Sequence, residues 1–156
     1  MTRHEIGIDL IDIDRIRAVL VRFPDRFRLR VLTEHEQRYC GRRVERIVAV
    51  LGRFPDPFRH RVLTERERRY VGRRPYRIAG RWAAKEAISK VLGLGVRGVG
   101  WREIEILPNP AGAPQVYLHG RAARRAEAMD LDDVTVSISH ERQMAVAVAV
   151  AHRRHA

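Results

Sequence analysis

Two lysines and a glutamate stand close together in RWAAKEAISKVLGLG, residues 81–95. At about 100° of rotation per residue, a helix here gathers Ala84, Ala87, Ile88, Val91 and Leu92 into one apolar stripe. It leaves Lys85, Glu86, Ser89 and Lys90 on the opposite side. Two chemistries fit that polar side. Glu86 and Lys90, four residues apart with the acid first, make a helical ion pair of about 0.3–0.5 kcal/mol. In the other reading Glu86 is an oxygen ligand for a hard cation and the lysines hold phosphate, because Mg²⁺ takes one or two carboxylates together with substrate phosphates. The local pattern leaves both open. A second carboxylate, Asp9, lies in IGIDLIDIDR at residues 6–15, and a histidine, His140, lies in VSISHERQMAVAVAVA at residues 136–151.

The elements that must position these groups are legible in outline. Residues 5–10 alternate Ile6, Gly7, Ile8, Asp9, Leu10, which predicts a strand with a buried Ile6 and Ile8 face and with Asp9 pointing away from it. A helix is expected from about Ile13, with Asp12 as its N-cap. Pro75 breaks the pattern ahead of the 81–95 helix, and Gly93, Gly95, Gly98 and Gly100 make a loop behind it whose backbone amides could approach a phosphate. Residues 101–107 and 115–118 read as strands around a Pro-Asn-Pro-Ala-Gly turn. Residues 120–129 read as a short helix with Arg121, Arg124 and Arg125 outward. Residues 134–138 and 144–151 close the chain as a hairpin that carries His140 in its loop, with a frayed tail.

The three blocks around Asp9, Glu86 and His140, in this order, resemble the holo-acyl-carrier-protein synthase family of 4'-phosphopantetheinyl transferases. The resemblance runs through the aspartate of IGIDLIDIDRI, the AAKEAISK helix, the WREIEI strand and the SISHE turn, and spans residues 6 to about 151. It implies an α+β single domain, mainly antiparallel sheet packed with helices. It implies a Mg²⁺-dependent reaction in which a serine hydroxyl of an apo acyl carrier protein attacks the β-phosphate of coenzyme A, releasing adenosine 3',5'-bisphosphate. Asp9 and Glu86 would then be the metal ligands. Lys85 and Lys90 would add positive charge, with Lys90 the stronger candidate because it shares a stripe with Glu86. Arg81 and Gly93 would contact phosphate at the two ends of the helix. His140 would lie in the coenzyme-binding region, serving a site shared between subunits of a homotrimer. The proton acceptor is open between Glu86, His140 and a bound water. Arg15, with Arg22 and Arg26 as weaker candidates, would meet the acidic carrier protein.

One feature departs from that family's pattern. Residues 15–43, RIRAVLVRFPDRFRLRVLTEHEQRYCGRR, are repeated at residues 46–74 as RIVAVLGRFPDPFRHRVLTERERRYVGRR, an offset of 31 residues with about three-quarters of positions identical. Each copy carries an RFPD turn and a capping box, Thr33 with Glu36 and Thr64 with Glu67. Two units are too few for a solenoid. Either copy could fill the family position; one solution keeps the first half of copy one and the second half of copy two, looping out Phe27 to Phe58. The two registers are then close in energy.

The bulk properties agree. A chain of 156 residues with 45% apolar content suits one globular domain, residues 1–156, with a proper core. Thirty-one Lys and Arg against 19 Asp and Glu leave a net charge of +12, which favours acidic partners or else reflects a general preference for arginine. A nucleic-acid-binding module would share that charge, but no aromatic stacking motif or zinc pattern accompanies it. An inactive assembly protein is the other alternative. No apolar run marks a secretory signal or a membrane span, and Cys40 is the only cysteine, so the cytoplasm is the expected location.

Overall fold

The computed structural model describes residues 4–12, 34, 38, 56–141 and 144–154. Strand β1 (His4–Asp12) pairs antiparallel with β5 (Met144–Arg153), and β5 pairs antiparallel with β4 (Leu131–His140), giving a three-stranded sheet in the order β1-β5-β4. A separate hairpin joins β2 (Ile104–Pro108) to β3 (Pro114–Leu118). Helices α1 (Asp56–Val62), α2 (Glu65–Val71), α3 (Pro75–Val91), α4 (Gly95–Gly98) and α5 (Gly120–Ala128) complete the described chain, with a 3-10 turn at Trp101–Glu103 before β2.

Helix α3 is the centre of the core, and small residues on the sheet let it lie close. Strand β5 reads Met-Ala-Val-Ala-Val-Ala-Val-Ala, and its alanines 145, 147, 149 and 151 are buried under the helix. In β1 the helix-facing positions are Gly7 and Ile11, and a Cβ at Gly7 would stand 2.0 Å from the Ala87 carbonyl oxygen. At the other end of α3, a Cβ at Gly80 would stand 2.9 Å from Ile138 Cγ2. The helix thus crosses the sheet from β4, under its N-terminal half, to β1, under its C-terminal half. The predicted stripe of Ala84, Ala87, Ile88, Val91 and Leu92 is fully buried in it.

Several sequence expectations are corrected here. Ile6, Ile8 and Leu10 form the exposed face of β1, at 68%, 59% and 53%; Asp9 does point away from them, towards the helix. Pro75 does not break the helix but opens it, since a first-turn residue needs no amide partner. The helix stops at Val91 rather than Gly95. Gly93 N–H donates to Lys90 O and Leu94 N–H to Ser89 O, with Gly93 at φ 68°, a Schellman stop. Residues 101–103 are a 3-10 turn, not strand, because the Glu103 side chain reaches back to the Gly100 amide. His140 ends β4 instead of sitting in the loop. Asp12 is still strand, paired with Met144, and the helix expected after it lies outside the described residues. Arg125 is not outward: its Nε donates to Leu92 O at 3.0 Å.

The second repeat copy is built into the core from Asp56 onward. Val62, Leu63 and Val71 are buried, and Phe58 packs edge-on against Trp82 with ring centroids 4.9 Å apart. Asp56 to Phe58, the last three residues of the expected loop, are helix instead; of its other residues only Glu34 and Arg38 are described. The Thr64–Glu67 capping box forms as predicted, with Glu67 N–H donating to Thr64 Oγ1 at 3.2 Å and Thr64 N–H to Glu67 Oε2 at 2.7 Å. The Thr33–Glu36 box lies outside the described residues.

Candidate active site

The route from residues to site begins with α3, whose turn brings Glu86 and Lys90 to the flank that overhangs β1. Lys90 Nζ donates to Asp9 Oδ1 at 2.8 Å and to Ile8 O at 2.6 Å. Asp9 is mostly covered, its side chain 17% exposed, and Lys90 remains half exposed. Glu86 is half-buried beside them. Burial pushes its carboxyl up to about 7, the Asp9 charge adds to the rise, and Lys90 opposes it. Two carboxylates that repel one another in a partly desolvated site form a hard-oxygen donor pair, and a divalent cation would relieve the repulsion. Among the described residues no group of three or more His, Cys, Asp or Glu is assembled for a metal. The donor set is two carboxylates, the number that Mg²⁺ takes together with substrate oxygens.

Lys85 does not belong to this group. It is fully buried and donates to Glu67 Oε2 at 2.8 Å, to Trp101 O at 2.8 Å and to Ile104 O. Glu67 is equally buried, and its Oε1 accepts from Ile106 N–H at 2.9 Å. Desolvation pulls the Lys85 pKa down and Glu67 pushes it back up. This knot ties α2, α3 and β2 together; Lys85 is part of the frame, not a phosphate ligand. The periodicity misplaced it because α3 is covered on nearly every side, and Ser89 on the same supposed polar face is buried too.

A second cluster lies at the N-terminal end of α3. Tyr70, Tyr76, Arg77, Gly80, Arg81, Gly112, Pro114, Ile138 and His140 line a cleft of about 370 Å³. The Arg81 guanidinium is buried, donates to Ile106 O at 3.0 Å and stands 5.3 Å from the Tyr70 ring centre, with Arg77 5.1 Å from the same ring. Burial lowers its pKa, while Tyr70 and Glu67 act against that. The His140 ring meets Tyr76 at 4.8 Å. Cations, aromatic faces and a histidine in one recess suit a phosphorylated aromatic ligand. Sequence reasoning named Arg81 and His140 but missed Tyr70, Tyr76 and Arg77. The i, i+4 pairs Tyr76–Gly80 and Arg77–Arg81 were the available signal, hidden by reading Pro75 as a break.

The predicted residues thus divide. Asp9, Glu86 and Lys90 meet on one flank of α3, and Arg81 and His140 meet at its other end. Gly93 serves as the helix stop. Arg15, Arg22 and Arg26 lie outside the described residues.

This arrangement can be set against known proteins. The sequence model of the 4'-phosphopantetheinyl transferase superfamily matches residues 43–149, taking in the second repeat copy and the whole of α3. The chain belongs to that superfamily. Within it, the chain is 41% identical over 144 residues to the holo-[acyl-carrier-protein] synthase of Gloeobacter violaceus, covering 92% of this chain and 89% of the relative. It is similar in structure to the coenzyme A complex of the Chronobacterium ammoniagenes enzyme, at 25% identity and a TM-score of 0.62, covering 97% of this chain and 98% of that one. A coenzyme A complex of the Helicobacter pylori synthase gives 27% identity and a TM-score of 0.51 over 94% of this chain and 98% of that one. The α+β fold expected from the sequence is the one these structures share.

Proposed function

We propose that the protein transfers 4'-phosphopantetheine from coenzyme A to a serine of an apo acyl carrier protein. The observation that carries this reading is the meeting of Asp9, Glu86 and Lys90 in a chain whose relatives are holo-[acyl-carrier-protein] synthases. The serine hydroxyl gives its proton to Glu86, His140 or a bound water as its oxygen bonds to the β-phosphorus, the bond from that phosphorus to the bridging oxygen breaks, and adenosine 3',5'-bisphosphate leaves with the electron pair. Reactions of this type need charge neutralisation and in-line placement more than covalent help. Asp9 and Glu86 would hold Mg²⁺, which when bound supplies positive charge to the pyrophosphate. Lys90, fixed by Asp9 and the Ile8 carbonyl, keeps an ammonium beside the two carboxylates where phosphate oxygens would lie. The buried Arg81, with Arg77, Tyr76 and His140, would take the phosphorylated adenosine end of coenzyme A.

The two clusters lie at opposite ends of α3, and we infer that a complete site draws one from each of two subunits. The support is the outer face of the sheet, where Ile6, Ile8 and Leu10 stand exposed beside Val150, Val148 and Val146. A homotrimer closed through that face would cover it. The partner is the carrier protein, whose acidic surface the net charge of +12 suits. A single cysteine fits a reducing compartment, the cytoplasm. Among the described residues no helix is long and apolar enough to cross a membrane.

The experiment is mass spectrometry of apo acyl carrier protein incubated with the protein, coenzyme A and Mg²⁺. A mass gain of one phosphopantetheine, lost with EDTA and in Asp9→Ala and Glu86→Ala, is the expected result. No gain across several carrier proteins from a folded sample would overturn the reading.

A further inference from the structure

His4 and His152 belong to neither cluster of the proposed site. Both are exposed, and they stand directly opposite one another where β1 meets β5. Side chains alternate between the faces of a strand, so both imidazoles share the outer face of the sheet with Ile6, Ile8 and Leu10. They prolong that row by one cross-strand pair beyond Ile6 and Val150. Their Nδ1 atoms are 2.8 Å apart, and the rings meet edge to face with centroids 4.6 Å apart. The ladder that runs unbroken from this pair to Asp12 and Met144 holds both backbones in place.

Two imidazole nitrogens this close need a proton or a cation between them. Without an ion, one Nδ1–H donates to the lone pair of the other, an exposed contact that water can replace. The spacing also suits a metal. Two nitrogens bound to one ion at about 2.0 Å are about 2.8 Å apart when they subtend a right angle and about 3.3 Å apart in a tetrahedron. The observed separation is that of the right angle. It is the relation of neighbouring ligands in a square-planar ion, and nitrogen donors in that geometry select Cu²⁺ or Ni²⁺. Mg²⁺ takes hard oxygen ligands instead, so this pair does not draw on the ion of Asp9 and Glu86. The adjacent carboxylate, Glu5, faces the other way and is held by Arg153, whose Nε and Nη2 donate to its Oε1 at 3.0 and 2.6 Å.

We propose that His4 and His152 form a bis-imidazole site for a divalent copper or nickel ion, with solvent in the remaining positions. As the ion binds, the proton between the two Nδ1 atoms passes through solvent to an Nε2. Both imidazoles then stay neutral, and both Nδ1 lone pairs serve the metal. The ligands are 148 positions apart in the chain, so the ion staples the first residue of edge strand β1 to the far end of β5.

The test is a Cu²⁺ titration of the protein in the oligomeric state in which it purifies, on a Cys40→Ala chain so that no thiolate takes the copper. Electron paramagnetic resonance is expected to show coupling to two imidazole nitrogens, and amide NMR to show broadening centred on residues 4–6 and 150–153. His4→Gln and His152→Gln should each weaken binding by about 10²-fold, the lower end of what linking two binding groups adds. Asp9→Ala and excess Mg²⁺ should leave copper binding unchanged. Copper should also raise the thermal midpoint of the Cys40→Ala chain, and of neither histidine variant. Equal affinity in both histidine variants and their parent, or broadening centred on His60, His119 or His140, would overturn the proposal. A loss in only one of the two variants would overturn it as well, since a single ligand is not a chelate.

Discussion

Glu86 and Glu103 give the chain opposite pH slopes. Burial first, then the Asp9 charge, raises the Glu86 carboxyl from 4.5 to about 7. The folded chain binds that proton more tightly than the unfolded chain, so the stabilisation is complete below about pH 4.5 and is lost as pH rises through about 7. Glu103 is the reverse case. Burial pushes its carboxyl up, but the amides of Arg121 and Gly100 and the Arg121 side chain overcome this and hold it at about 2. Its contribution is present above about pH 4.5 and is lost as pH falls towards 2. Urea unfolding of the metal-free protein should therefore show stability falling between pH 5 and about 7.5, and Glu86→Gln should flatten that limb. A limb unchanged in Glu86→Gln would assign it to another group. If Mg²⁺ takes the proton's place on the proposed pair, added Mg²⁺ should recover stability above about pH 7 in the parent chain and not in Glu86→Gln. The two lysines of α3 separate by the same logic. Lys90→Ala should cost on the order of 10²–10³ in kcat with the unfolding midpoint unchanged. A fall in stability of more than about 1 kcal/mol would mean that the Asp9 contact is structural.

At the scale of elements, α3 is held from both sides, and each side makes a prediction. On the sheet side, Gly7→Ala places a Cβ 2.0 Å from a backbone oxygen that cannot turn away. It should cost about 3 kcal/mol or more and reduce activity by separating Asp9 from Glu86, which urea unfolding and turnover will read together. On the other side, Lys85→Met leaves the buried Glu67 carboxylate without its cation, at a cost of about 3–5 kcal/mol. Adding Glu67→Gln should recover most of that loss; additive losses would show that the pair is not coupled. These two contacts also mark where the sequence was readable. Alternation found β1, β4 and β5, and the 3.6-residue period found the buried stripe of α3 around Ala84, Ala87 and Ile88. The period failed for Lys85, because a helix enclosed on nearly all sides buries polar residues that find partners distant in the chain, here Glu67 and two carbonyls. Alternation misassigned the buried face of β1, because close helix packing selects the small residues Gly7 and the β5 alanines, not the largest apolar ones. The helix pattern offered Glu86 as one of two open readings, and its pairing with Asp9 came only through resemblance; spacing alone does not say that residues so far apart meet.

At the scale of the whole molecule, the misassigned face becomes the informative one. Ile6, Ile8 and Leu10 line up with Val150, Val148 and Val146, and the row grades into Thr135, Ser137 and Ser139 on β4. One face of the sheet is closed by α3, whereas the other presents an apolar strip beside the edge strand β1, and contiguous exposed patches of this kind mark association surfaces. If a second subunit covers the strip, the separation between the Asp9 cluster and the His140 cleft ceases to be a defect of the site. One chain's carboxylates can then face the next chain's cleft, and catalysis depends on assembly. Ile6→Lys together with Val150→Lys puts two like charges on one cross-strand pair, away from both clusters. Sedimentation should give three chains for the parent protein and one for this variant. Transfer activity should fall with the loss of assembly, and mixing the variant with Asp9→Ala chains should not restore it. Mixing Asp9→Ala with His140→Ala chains, both able to assemble, should restore part of the activity by pairing an intact carboxylate cluster with an intact cleft. No recovery in that mixture, with both chains shown to co-assemble, would place the complete site within a single chain.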